Sequence, residues 1–291
     1  MFKGLCTAIV TPFIENRVDY ETFKNLIDFQ INNGAKAIVF FGTTGEASTL
    51  SKKEKLTIAD FAVKYVNKRV KVIVGSGSNN TLEAVKSSKA YQKLGVDGLL
   101  IVTPYYNKCT QQGLIEHYKK IADSVNIPII LYNVPGRTGV NILPSTVLTL
   151  SKHKNIVAIK EASGNIVQAQ EILSVVDKDF KVYSGDDALL LPLLSVGGSG
   201  VISVASNIVP REMSSICDYY FYGDTKKARD LQLKLLPLIQ ALFIEVNPIP
   251  IKKAMEILKM CSSTLRLPLT NKMKEENLLK LKKSLKDLNL I

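Results

Sequence analysis

The amino-acid sequence predicts an α/β fold, a (β/α)8 TIM barrel followed by a C-terminal helical extension. Eight short, β-branched apolar runs recur over the first three quarters of the chain, with helically spaced stretches between them. The runs are continuously apolar rather than alternating, as in strands covered on both faces. Strands that alternate with helices need right-handed crossovers and hence a parallel sheet. Eight such units are the number that closes a barrel. An open doubly wound sheet is the runner-up, because periodicity does not show closure. After about residue 223 only helical patterns remain. The expected division is therefore a barrel over 1–223 and a three-helix extension over 224–291.

The first run covers 4–10. A helix is expected over 22–33, then a second run over 37–42 that ends in Gly42-Thr43-Thr44-Gly45-Glu46. Glycines let backbone approach a ligand, and adjacent hydroxyls can bind or relay protons. Alone, this is also an ordinary βα turn. Ser51 followed by Glu54 marks a capping box for a helix over 51–67. The third run, 70–77, leads into Gly75-Ser76-Gly77-Ser78-Asn79-Asn80. That stretch lacks the third glycine of a dinucleotide fingerprint, so no nucleotide is expected. A helix over 81–94 precedes the fourth run, 97–104, which ends beside Tyr105 and Tyr106. Paired tyrosines there suit an interface. A helix over 111–125 precedes the fifth run, 128–135, which leads into Pro135-Gly136-Arg137-Thr138-Gly139. The sixth run, 156–163, contains Lys160, and the last two cover 181–187 and 200–207. The uncharged stretch 188–210 is broken by Pro192, Gly197, Gly198 and Gly200, which argues for a helix and a strand rather than a membrane span. Helices are expected over 225–242, 249–260 and 271–287, interrupted at Asn247-Pro248 and Leu267-Pro268.

Barrel chemistry gathers at the C-terminal ends of strands. Lys71 and Lys181 begin strands, whereas Lys160 ends one. Parity with Ile156 and Ala158 points Lys160 into the barrel. A lysine kept from water there favours the neutral amine, a nucleophile for carbonyl carbon. The competing reading pairs it with Glu161 or another carboxylate. Tyr132 ends the preceding strand, where a phenol can shuttle protons. Its plainer reading is a core aromatic bonded to a backbone carbonyl. Arg137, in a glycine-flanked turn, suits a carboxylate held bidentately, or is simply exposed.

Composition excludes several classes. With 46% hydrophobic and 22% charged residues the chain is of globular type. Its net charge is +12, unevenly spread: 1–223 hold 24 basic and 19 acidic side chains, 224–291 hold 14 and 7. Charge alone does not choose between nucleic acid, membrane surface and small anions. A basic binder is the alternative of another class, but no recognition motif accompanies the charge. In the last helix Leu278, Leu281, Leu285 and Leu288 share a face and Lys280, Lys282, Lys283 and Lys286 lie elsewhere, so the leucines are expected on the barrel and the lysines in solvent. Four scattered cysteines and two distant histidines argue against a metal site or disulfide scaffold and for a reducing, cytoplasmic setting. The N-terminal apolar run is too short for a signal peptide.

Three segments carry a resemblance: Gly42 to Glu46, Tyr132 to Gly139, and Ile159-Lys160-Glu161-Ala162. At this spacing they resemble the 4-hydroxy-tetrahydrodipicolinate synthase (dihydrodipicolinate synthase) branch of the N-acetylneuraminate lyase family of class I aldolases. The resemblance runs over essentially the whole chain. It implies a lyase of lysine biosynthesis that condenses pyruvate with L-aspartate 4-semialdehyde. Lys160 matches the Schiff-base lysine, and Tyr132 the phenol that moves protons around the adduct. Thr43 matches the hydroxyl that links Tyr132 to a second tyrosine. That second tyrosine matches Tyr106, which in the family comes from a neighbouring subunit. Thr44 resembles the pyruvate-carboxylate contact and Arg137 the group that holds the semialdehyde carboxylate. Gly185 and Ile202 fall where the family lines the pyruvate site. The imine on Lys160 replaces any cofactor, and no metal, nucleic acid or membrane is implied. A homotetramer, a dimer of dimers, is.

A sibling aldolase of sugar acids, of the N-acetylneuraminate or 2-keto-3-deoxygluconate type, would share Lys160 and Tyr132. Arg137 and the Thr43-Thr44 pair favour the dipicolinate branch. A non-catalytic paralogue is disfavoured because every expected side chain is present. Some members of the family bind L-lysine in a cleft between subunits. Ala47, Ser48, Lys52, Lys55, Asn79, Glu83 and Tyr105 match that cleft. Lys52 and Lys55 stand where inhibited members often carry histidine, and two ammoniums should repel a cationic ligand. Weak or absent feedback is therefore expected.

Overall fold

The computed structural model describes residues 1–291. The barrel strands are β1 (Gly4–Ala8), β4 (Ala37–Phe40), β5 (Lys71–Gly75), β6 (Gly98–Val102), β7 (Ile129–Asn133), β8 (Ile156–Glu161), β9 (Lys181–Ser184) and β10 (Gly200–Ser203). All neighbours pair in parallel, and β10 returns to β1 with Cys6 opposite Ile202. Closure removes the open-sheet alternative. The short strands β2 (Phe13–Ile14) and β3 (Arg17–Val18) form an antiparallel hairpin that the apolar pattern does not reveal.

Helices cover the outside. They are α1 (Tyr20–Asn32), α2 (Lys52–Val66), α3 (Thr81–Lys93), α4 (Gln111–Ala122), α5 (Pro135–Thr138), α6 (Pro144–Ser151), α7 (Ile166–Val175), α8 (Leu190–Ser195) and α9 (Pro210–Phe221). The extension adds α10 (Thr225–Leu242), α11 (Ile249–Ile257) and α12 (Glu275–Asp287). Ser51 and Glu54 form the expected capping box: the Ser51 hydroxyl accepts from Glu54 N at 3.2 Å, and Glu54 accepts from Ser51 N at 2.8 Å. Such a cap is worth about 1 kcal/mol. The uncharged stretch divides into α8 and β10, and no helix is long and apolar enough to cross a membrane.

Two layers of apolar side chains follow from the pleat. Residues such as Cys6, Val39, Ile73, Leu100, Ile130 and Ile202 fill the barrel, and their neighbours in sequence pack under the helices. Phe2 stacks on Tyr183, ring centres 4.2 Å apart, and closes the barrel bottom. The extension shares the outer layer through Leu235, Leu238, Ile251, Met255, Leu281 and Leu285. Its four lysines from Lys280 to Lys286 are exposed, as expected.

One expectation needs correction, and one burial is not announced by the sequence. Ile156 does not share the inward face with Ala158 and Lys160; it belongs to the outer layer. The pairing of β7 with β8 runs Ile129 opposite Ile156, then Ile130 opposite Ala158. Val157 is thus an extra residue, a bulge that resets the alternation of β8. The basic residues of the extension are also not all solvated. Lys252 is 0% exposed and pairs with Glu46 at 2.5 Å. Arg266 holds Glu54 through both terminal nitrogens.

Candidate active site

Lys160 closes β8 at the functional end of the barrel, directly opposite Tyr132 on β7. Both are largely buried, at 6% and 7% exposure, and the Lys160 amine lies 4.5 Å from the centre of the Tyr132 ring. No carboxylate pairs with Lys160. Glu161 points the other way, where it accepts from Asn133 at 2.9 Å, Gln168 at 3.2 Å and the Ser163 backbone at 2.6 Å. The competing ion-pair reading of Lys160 therefore fails.

Tyr132 also differs from the structural tyrosines. The hydroxyls of Tyr118 and Tyr183 donate to the carbonyls of Ile101 and Phe2, at 3.0 and 2.6 Å. Tyr132 makes no such bond and instead faces a cavity. That cavity, about 340 Å³, is lined by Lys160, Tyr132, Thr43, Thr44, Arg137 and Gly185, with Asp186, Gln240, Phe243 and Asn247. A second chamber of about 400 Å³ shares Thr43, Tyr132, Arg137 and Asn247 with it and extends to Ala47, Ser48, Lys55 and Tyr105. The pair of chambers is large enough for two small carboxylated molecules side by side.

The sequence folds this way for local reasons. Phe41 and Glu46 adopt left-handed backbone, φ 58° and 53°, and so turn the Gly42–Glu46 loop back over the barrel mouth. Gly75 is glycine because a Cβ there would lie 2.2 Å from the Phe41 carbonyl oxygen. The glycines of the Gly75-Ser76-Gly77 stretch thus serve close packing: a Cβ on Gly77 would likewise lie 2.8 Å from the Val102 nitrogen. A Cβ on Gly185 would meet the Lys160 Cε at 3.0 Å and Ala162 at 2.5 Å, so only glycine leaves Lys160 its place.

Arg137 sits on α5, exposed at the mouth, and its one hydrogen bond is to the Asn247 carbonyl at 3.2 Å. It keeps donors free for an anion. Two predicted residues stand apart from the cavity. Ile202 is fully buried in the barrel filling and does not line it. Tyr106 is 92% exposed, with φ 69°, and does not reach Tyr132 within this chain. Of the cleft residues, Lys52 binds Glu83 at 2.6 Å, Lys86 binds the other Glu83 oxygen at 3.2 Å, and Asn79 donates to the Tyr105 carbonyl at 3.2 Å. Burial and the Lys52 charge push the Lys55 amine down from its ordinary range.

Sequence reasoning missed the contribution of the extension. Asn247 donates to the Thr44 hydroxyl at 3.0 Å, while its own carbonyl oxygen Oδ1 is buried without a partner. Only Asn247-Pro248 marked the place, and it read as a helix break. Gln240 and Phe243 follow from the same helix end, which no motif announces.

Comparison with known proteins places the chain among relatives of known sequence and structure. Residues 1–288 match the model of the dihydrodipicolinate synthetase family. The chain is 53% identical to 4-hydroxy-tetrahydrodipicolinate synthase 1 of Clostridium acetobutylicum, over 100% of this chain and 99% of that protein. The crystal structure of dihydrodipicolinate synthase from Aquifex aeolicus superposes with a TM-score of 0.97 at 47% identity, over 99% of both chains. That of the enzyme from Cyanidioschyzon merolae, with lysine bound, gives 0.96 at 40% identity, over 100% of this chain and 99% of that one. By sequence and by fold, the chain belongs to the dihydrodipicolinate synthetase family.

Proposed function

We propose that the protein is a 4-hydroxy-tetrahydrodipicolinate synthase that joins pyruvate to L-aspartate 4-semialdehyde through an imine on Lys160. The observation that carries the reading is a buried lysine without a carboxylate partner, facing a cavity beside a tyrosine without a hydrogen-bond partner. The Lys160 amine attacks C2 of pyruvate, and water leaves as the imine forms. The protonated imine draws electrons from C3, a proton leaves, and an enamine results. Enamine carbon attacks the aldehyde. The amino group of the second substrate then attacks C2, closes the ring and releases Lys160.

Tyr132 moves the protons in this scheme, with Thr43 beside it. Tyr106 would complete the relay from a neighbouring subunit, which its exposure permits and a homotetramer would supply. Thr44 binds the pyruvate carboxylate, Arg137 that of the semialdehyde, and Gly185 leaves Lys160 its place, while Ile202 packs in the barrel filling away from the cavity. The chemistry asks for no metal or nucleotide, and a cytoplasmic setting suits it. In a coupled assay, pyruvate with L-aspartate 4-semialdehyde should turn over, and N-acetylmannosamine should not replace the semialdehyde. Preference for the sugar would move the protein to the sibling branch.

The cleft around Ser48, Lys52, Lys55, Asn79, Glu83 and Tyr105 is a poor lysine site on the same reasoning. Its one carboxylate, Glu83, is held by Lys52 and Lys86. Micromolar L-lysine should leave the rate unchanged; inhibition at that level would overturn this part.

A further inference from the structure

We infer that Asn133 and Glu161, with Gln168 and Asn141 behind them, form a register lock that aims Tyr132 and Lys160 at each other. The inference rests on the imine reading above and concerns residues outside the cavity. Asn133 follows Tyr132, Glu161 follows Lys160, and the two are paired across β7 and β8. Since side chains alternate, they lie on the outer face of the barrel, behind the reacting pair.

There they build a closed polar ring. The Asn133 amide donates to Glu161 at 2.9 Å and to Asn141 at 2.8 Å. The Gln168 amide donates to the same Glu161 oxygen at 3.2 Å and to Asn141 at 3.1 Å, and Asn141 donates back to Gln168 at 2.7 Å. Backbone amides occupy what is left: Ser163 on Glu161 at 2.6 Å and Ile142 on Asn133 at 2.9 Å. Asn133, Glu161 and Gln168 are all buried, and Glu161 has no cation. A satisfied buried network of this kind tolerates few alternative geometries.

The bulge at Val157 supplies the reason for a lock. Upstream of it, Ile156 faces out; downstream, Ala158 and Lys160 face in. A strand with one extra residue has two nearby registers, and a slip by one would turn Lys160 outward and Glu161 into the barrel. Apolar packing does little to separate them, because β8 is flanked by apolar layers on both faces. The ring does separate them, since only one register places Glu161 beside Asn133. Asn133 and Glu161 are thus positioning residues that act through Tyr132 and Lys160.

The test is a polarity swap. Glu161→Gln leaves two amide donors facing an amide, and Asn133→Asp sets two carboxylates face to face. The double variant restores one acceptor and one donor. Imine formation would be followed as the rate of borohydride-trapped pyruvate at saturating pyruvate, well below each variant's Tm. A displacement of the amine by about 1 Å costs on the order of 100-fold, so each single change should slow trapping at least tenfold. The double variant should recover most of that loss. If wild-type protein is not trapped at Lys160, the imine reading itself fails. If wild type is trapped there and the single variants trap as fast, or the double is no better than the worse single, the lock fails. Should either single variant not fold, Gln168→Leu removes two donated bonds and one accepted bond from the ring and must slow trapping without raising the pyruvate concentration needed for half-saturation. Unchanged trapping in that variant overturns the lock as well.

Discussion

Two lysines are buried in this molecule, each over an aromatic ring, in two regions that treat them differently. Inside the barrel Lys160 lies over Tyr132 with no carboxylate and a cavity beside it. At the seam between barrel and extension Lys252 lies 4.3 Å over Phe13, bound to Glu46 at 2.5 Å and to the Thr264 carbonyl at 2.8 Å. Arg266 covers the other approach to Phe13 and donates its backbone N–H to Glu46 at 3.1 Å. Burial is common to both. Pairing and access separate them, so the first has an amine available for reaction and the second a charge used to hold the Gly42–Glu46 loop. A third buried base shows another outcome: His117 on α4 keeps one ring nitrogen on Thr81 at 2.9 Å, and burial pushes its pKa down to about 4.

The contrast predicts opposite consequences for the same substitution. Lys160→Met should lower turnover by at least about 10³-fold, as loss of a covalent nucleophile does, with Tm unchanged or higher. Turnover within tenfold of wild type would remove the distinction. Tyr132→Phe should cost roughly 10²–10⁴-fold in kcat, again without loss of stability. A fall in Tm with normal kcat would make Tyr132 a core residue.

Lys252→Met should do the reverse. It strands Glu46 in the interior and should cost about 3–5 kcal/mol of stability in denaturant titration. Pyruvate should still be trapped at Lys160 below the new Tm. The pair Lys252→Met with Glu46→Leu should recover most of the stability, because well-packed apolar groups replace a buried ion pair at little cost.

The smallest effect belongs to His117. Its folded pKa lies below its ordinary 6.5. As pH falls from 6.5 toward 4, the unfolded chain binds a proton that the folded chain refuses, so stability is full above 6.5 and declines through this window. The decline is at most about 1.4 kcal/mol per pH unit. His117→Gln should flatten Tm against pH there, and an unchanged slope would contradict the assignment.

Much of this was legible in the sequence, for reasons that differ by residue. The eight strands were visible because parallel barrel strands are apolar on both faces. Lys160, Tyr132, Thr44 and Arg137 were visible because they end strands or occupy the loops just beyond. The bulge at Val157 was not, since Val-Ala-Ile reads as unbroken strand and only the partner strand exposes the extra residue. Nor was Asn247, whose place in the site is set by how the extension folds back. Lys252 was not legible as a buried cation because nothing local announces Glu46, which is 206 positions away. Tyr106 carried a role only through the family resemblance: within this chain it is 92% exposed and does not line the cavity.

The most direct test of the account is to reduce the protein with borohydride in the presence of pyruvate and map the modified lysine by mass spectrometry. One pyruvate adduct per chain is expected, on Lys160, absent from Lys160→Met and present in Lys252→Met. An adduct on Lys252 or elsewhere, or none at all, would contradict it.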